Sequence, residues 1–88
     1  MPQLTLDEMS HFQDRDTFFC RFHDERMREV KVIVTAATLS ELKRYQCDLE
    51  MACRYAAEHV LSNGVEGDVE FVGSTYLAVK KRLRISTC

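Results

Sequence analysis

The sequence predicts an α+β fold, a single small domain in which one long helix packs on one face of an antiparallel or mixed sheet. Three observations predict it. Val30, Val32 and Val34 recur on one parity after an aromatic-rich run at 17–23, the period-two pattern of a hairpin. From Leu39 to Ser62 there is no proline or glycine, and apolar residues recur at helical spacing. The 88 residues, 10.2 kDa, hold one core: a folded surface of ~5,300 Å² against ~14,800 Å² unfolded buries roughly 64% of the surface.

The elements follow in order. Thr5-Leu6-Asp7-Glu8 fits a capping box, so residues 1–16 are read as a short helical segment reaching Phe12. Residues 17–35 form a hairpin, with Phe18, Cys20 and Phe22 sharing the core face with the three valines. The other face carries Phe19, Arg21, His23, Glu29, Lys31 and Ile33. A second capping box, Thr38-Leu39-Ser40-Glu41, opens the helix over 39–62, which Asn63-Gly64 ends. At ~100° per residue, Leu42, Leu49, Cys53, Ala56 and Val60 form its core stripe, flanked by Leu39, Tyr45, Ala52 and Ala57. At ~1.5 Å per residue such a rod is ~36 Å long and overhangs the sheet. Residues 68–85 are read as a second hairpin, turning at Gly73-Ser74, with a helix over 75–83 as the competing assignment. The order is α-β-β-α-β-β, within one domain spanning 1–88.

Composition excludes several classes. Apolar residues at 45% and charged residues at 30% are ordinary for a globular chain and wrong for a disordered or collagenous one. No apolar stretch is long enough for a transmembrane helix. The start MPQLTLDEMSHF lacks the basic flank and apolar block of a signal peptide, so a cytoplasmic location is expected and no membrane partner. A net charge of −2 is far from that of a dedicated nucleic-acid binder.

Little points to catalysis. Cys20, Cys47, Cys53 and Cys88 match neither a C-x-x-C pair nor a zinc spacing, so no metal site or cofactor is expected; they read as reduced thiols, Cys88 exposed at the terminus. His11, His23 and His59 fall in three different elements. Cys20 and His23, three apart on a strand, point to opposite faces. The glycines fit no phosphate loop. The chain therefore reads as a non-enzyme.

Two surfaces look built for a partner. Opposite the helix core stripe stand Arg44, Met51 and Tyr55, residue types favoured at protein interfaces where a solvated face needs none of them. The expected occupant is another protein or a second copy of the chain. On the sheet face away from the helix, Phe19, Ile33, Val72 and Tyr76 lie among Lys80, Arg82 and Arg84, which gives the alternative, single-stranded nucleic-acid or RNA binding through Phe19, Tyr76, Lys80, Arg82 and Arg84.

In size and charge profile the chain resembles the small inhibitors that phages encode against host defence nucleases, anti-CRISPR proteins among them. That category spans unrelated folds and carries over no residue roles. It implies a viral, non-catalytic inhibitor; for such an inhibitor one mode, read from this chain's own charges, would have the acidic residues Asp7, Glu8, Asp14 and Asp16 meet the nucleic-acid cleft of a target protein.

Overall fold

The computed structural model describes residues 3–12 and 14–83. Three strands come first: β1 (Thr5–Phe12), β2 (Thr17–His23) and β3 (Glu29–Val34). Two helices, α1 (Ala36–Arg44) and α2 (Leu49–Ser62), lead to β4 (Gly67–Glu70) and α3 (Ser74–Leu83). The sheet is mixed, in the order β1-β2-β3-β4, with the first three strands antiparallel and β4 parallel to β3. A parallel neighbour needs a long crossover, and α1 with α2 supplies it. The α+β class and the mixed sheet are as the sequence predicts; the element order is β-β-β-α-α-β-α. No helix among the described residues is long and apolar enough to cross a membrane.

The central hairpin forms with the predicted faces. Phe18 pairs with Val34, Cys20 with Val32 and Phe22 with Val30, and all six are buried against the helices. Asp24 holds the connecting loop. Its side chain is 1% exposed; Oδ1 accepts from the amides of Arg26 and Arg28, and Oδ2 from Arg28 Nε at 2.8 Å. Desolvation alone would raise the carboxyl, but the Arg28 amide and guanidinium and the Arg26 amide outweigh it and hold its pKa below the ordinary value.

Three expectations are corrected. Residues 5–12 are strand β1, paired with β2 from Thr5–His23 to Phe12–Thr17, where a capped helix is expected. A register shift between Leu6 and Glu8 leaves Asp7 as a bulge. That irregularity breaks the alternation of TLDEMSHF and leaves a spacing that imitates a helix turn.

The long helix over 39–62 is two helices. The chain leaves α1 at Tyr45, Gln46 takes φ +57°, and Asp48 accepts the Met51 amide at 3.1 Å to start α2. The break removes the overhang of a single rod and lays both helices on the sheet. Predicted stripe residues from both halves, Leu39 and Leu42 on α1 and Ala52, Cys53, Ala56, Ala57 and Val60 on α2, are buried. The box at Thr38–Glu41 does not form. The helix begins earlier, at Ala36, with Thr38 buried in its first turn.

The C-terminal hairpin is a strand and a helix, as in the competing assignment. β4 has only four residues, and Gly73 at φ +64° admits α3. Phe71 and Val79 are fully buried, and Tyr76 and Leu83 pack against them at the three-to-four spacing of a helix. Leu77, on the outer side of the helix, is 60% exposed.

Candidate interaction surface

Helices α1, α2 and α3 lie on one side of the sheet, where the apolar core cluster is found. Among the described residues the other side has no helical cover. Register places Glu8, Ser10 and Phe12 of β1 there, with Phe19 and Arg21 of β2, Glu29, Lys31 and Ile33 of β3, and Asp68 and Glu70 of β4.

At the β1–β2 turn this bare face becomes concave and apolar. Phe12 and Phe19 lie diagonally across the strand pair with ring centroids 5.4 Å apart, stacked at 25°. Lys31 Nζ sits 4.4 Å from the Phe19 centroid. Between them Phe19 is reduced to 6% exposure, whereas Phe12 stays 48% exposed. These side chains with Ile33, Asp14 and Arg15 line a groove of about 440 Å³. Asp16, at φ +48°, turns the chain, and its Oδ1 lies 3.3 Å from His11 Nε2. Neither Arg15 nor Lys31 has an ion-pair partner among the described residues.

The predicted protein-binding residues Arg44, Met51 and Tyr55 stand on two helices, with Met51 and Tyr55 one turn apart on α2. Arg44 ends α1, its guanidinium 5.5 Å from the ring of its neighbour Tyr45. Met51, 45% exposed, faces away from the sheet on the first turn of α2. Tyr55 is roofed by Arg82 of α3, whose Cζ is 3.8 Å above the ring while Nη1 lies 3.2 Å from Glu58 Oε2. Tyr55 therefore fastens α3 to α2. The four acids do not form one patch. Because β1 is extended, Asp7 and Glu8 lie near one end of the strand and Asp14 and Asp16 at the turn beyond the other, ~20 Å away at ~3.4 Å per residue. Three of the four have basic partners: Asp7 lies 2.8 Å from His23 Nδ1, Glu8 3.0 Å from Arg21 and Asp16 3.3 Å from His11.

The predicted nucleic-acid set is divided between the two sides of the sheet. Phe19 is on the bare face, whereas Tyr76, Lys80 and Arg82 are on α3 in the helical layer. Tyr76 packs on Phe71 at 5.7 Å with Lys80 5.3 Å from its ring. Burial, with the Glu41 carboxylate beside it, pushes the Tyr76 hydroxyl above the ordinary phenol value. Val72 sits in the loop before α3, 40% exposed. Arg84 and Cys88 lie outside the described residues. With the α3 cations removed from it, the sheet face sets four acids, Glu8, Glu29, Asp68 and Glu70, against Arg21 and Lys31.

Other chemistry is sparse. Asp7 orients the His23 ring, but no hydroxyl or thiol is hydrogen-bonded to its Nε2 among the described residues. No group of three metal-ligating side chains occurs among them either. Cys20 and Cys53 meet in the core, where the contact with Cys20 and burial raise the Cys53 thiol.

Sequence reasoning missed Phe12 and Arg15 as site residues and listed Lys31 and Ile33 only as members of a face. The available signal was that TLDEMSHF precedes a strong strand across a short polar turn, Gln13-Asp14-Arg15-Asp16, as a hairpin partner does. No protein-family model, curated protein or solved structure matches this chain.

Proposed function

We propose that the chain is a non-catalytic protein-interaction module, an adaptor, subunit or small inhibitor, that holds its partner on the bare sheet face. The observation that carries the reading is Phe12. It is half exposed on a groove of about 440 Å³ whose rim holds Arg15 and Lys31 without ion-pair partners among the described residues. An aromatic anchor in a shallow pocket with charges at its edge is the usual centre of a protein contact. Arg15 and Lys31 suit an apolar side chain with an acidic neighbour. The alternative, a single-stranded nucleic acid stacking a base on Phe12, is disfavoured by the excess of acids on that face.

Photo-crosslinking tests it. With a benzophenone amino acid at position 12, one protein is captured in cells expressing the chain; with the probe at position 51, on the helical layer, it is not. Replacing Arg15 and Lys31 with Glu abolishes the adduct. Adducts that form equally at both positions, or that vanish on nuclease treatment, overturn the reading.

A further inference from the structure

The two edges of the sheet are unlike. β4 is four residues long, begins at Gly67 and carries Asp68 and Glu70, features that discourage strand addition. β1 is eight residues long and contains no proline, lysine or arginine. Its first half is covered, with Leu6 packed on the core and the Leu4 carbonyl before it accepting from Arg54 of α2, but its second half runs out beyond the close packing of α1 and α2 on β2 and β3. Met9, 51% exposed, is therefore uncovered on the helix side, and Phe12, 48% exposed, on the bare side. A strand added along β1 would cover both. It would also occupy the outward amides and carbonyls that β2 leaves unpaired.

We propose that the occupant is a second copy of this chain, joined β1 to β1 antiparallel about a two-fold axis at Ser10. The inference deepens the reading above and rests on it in holding that the molecule works by protein contact. The regular stretch after the bulge, Glu8 to Phe12, is self-complementary in this register. Ser10 meets Ser10, Met9 meets the second copy's His11 on the helix side, and Glu8 meets the second copy's Phe12 on the bare side. Met9 and His11 share a face, as do Glu8 and Phe12, so every pair is matched. No like charges oppose. Glu8, the one acid in the stretch, keeps its own Arg21 at 3.0 Å. A parallel pairing in register would set Glu8 against Glu8. The second copy completes the groove as well, because its Glu8–Arg21 pair becomes a wall beside Phe12.

Sedimentation velocity and hydrogen exchange over a wide range of concentration test the proposal. The expected result is a doubling of the 10.2 kDa mass as concentration rises, with amides of Glu8–Phe12 slowing in step. Met9→Lys, at an exposed position, should leave unchanged the melting temperature measured at dilutions where the wild type is monomeric, and abolish both effects. A wild-type chain that stays monomeric at every concentration overturns the proposal, as does a dimer that survives Met9→Lys with the β1 amides still exchanging fast. Crosslinking of a foreign protein at Phe12 is scored separately: its presence alongside a monomeric wild type would sink the self-pairing alone, and its absence in a wild type that dimerises through β1, and also in the monomeric Met9→Lys chain, would sink the groove reading alone.

Discussion

Replacing Arg82 with alanine removes two contacts that hold α3 on α2. Its guanidinium carbon is 3.8 Å above the Tyr55 ring, and Nη1 is 3.2 Å from Glu58. The Arg82 side chain is 37% exposed and that of Glu58 14%, so neither contact has the strength of a fully desolvated pair. A half-exposed cation–π contact contributes about 0.5–1 kcal/mol and a screened ion pair about 0.2–1 kcal/mol. With some lost packing of the aliphatic stem, the total is about 1–2 kcal/mol. For a domain of this size that lowers the melting temperature by roughly 5–12 °C. Urea and thermal denaturation of wild type, Arg82→Ala, Tyr55→Leu and the double variant complete a cycle, whose coupling should be about 0.5–1 kcal/mol. A coupling indistinguishable from zero, with Arg82→Ala melting alongside wild type, would refute the claim that Tyr55 is a fastening of the fold. Tyr55 and Arg82 would then return as surface available to a partner.

Two further predictions concern buried groups. Asp24 has its carboxyl pKa depressed in the folded chain, so its contribution to stability is complete above the ordinary value of 3.8 and is lost as pH falls through the folded value. Asp24→Asn keeps an oxygen for the Arg26 and Arg28 amides but loses the charge facing Arg28; melting temperature against pH should fall less steeply below 3.8 than in wild type, and parallel curves would count against the assignment. Cys20 and Cys53 have no exposed surface, and their mutual contact and burial raise the Cys53 thiol. In a Cys47→Ser, Cys88→Ser chain a disulfide reagent at mildly alkaline pH should label nothing until denaturant is added, and a fast native phase would show that the core opens there.

What could be read from the sequence was whatever local periodicity alone decides. Phe18, Cys20 and Phe22 against Val30, Val32 and Val34 needed only a period of two, and Leu39 through Val60 only a period of 3.6. The failures lie where a tertiary constraint competes with a local one. Asp7 interrupts the alternation of β1 and forms a bulge tied to His23, sixteen residues away, a partner no local window includes. Asp48 is an ordinary mid-helix polar residue until the finite width of the sheet calls for a break and makes it a cap. Residues 75–83 satisfy both periods, and the burial of Val79 against α2 decides between them. The groove inherited the first of these failures. With 5–12 assigned to a helix, Phe12 had no strand from which to reach Phe19, and the acids from Asp7 to Asp16 collapsed into a patch that the extended strand pulls apart.

The parallel pairing of β4 on β3 sets the sequence of events in synthesis. The three-stranded meander emerges from the ribosome first and closes through short turns, at little entropic cost. β3 then keeps a raw flank, its backbone groups unsatisfied, while the whole helical crossover is made and docked. Only afterwards does Gly67–Glu70 arrive to seal it. A nascent chain stalled between Ser62 and Gly67 thus carries two open flanks where the finished molecule carries one long and one short, and it is the form most prone to clump with its neighbours.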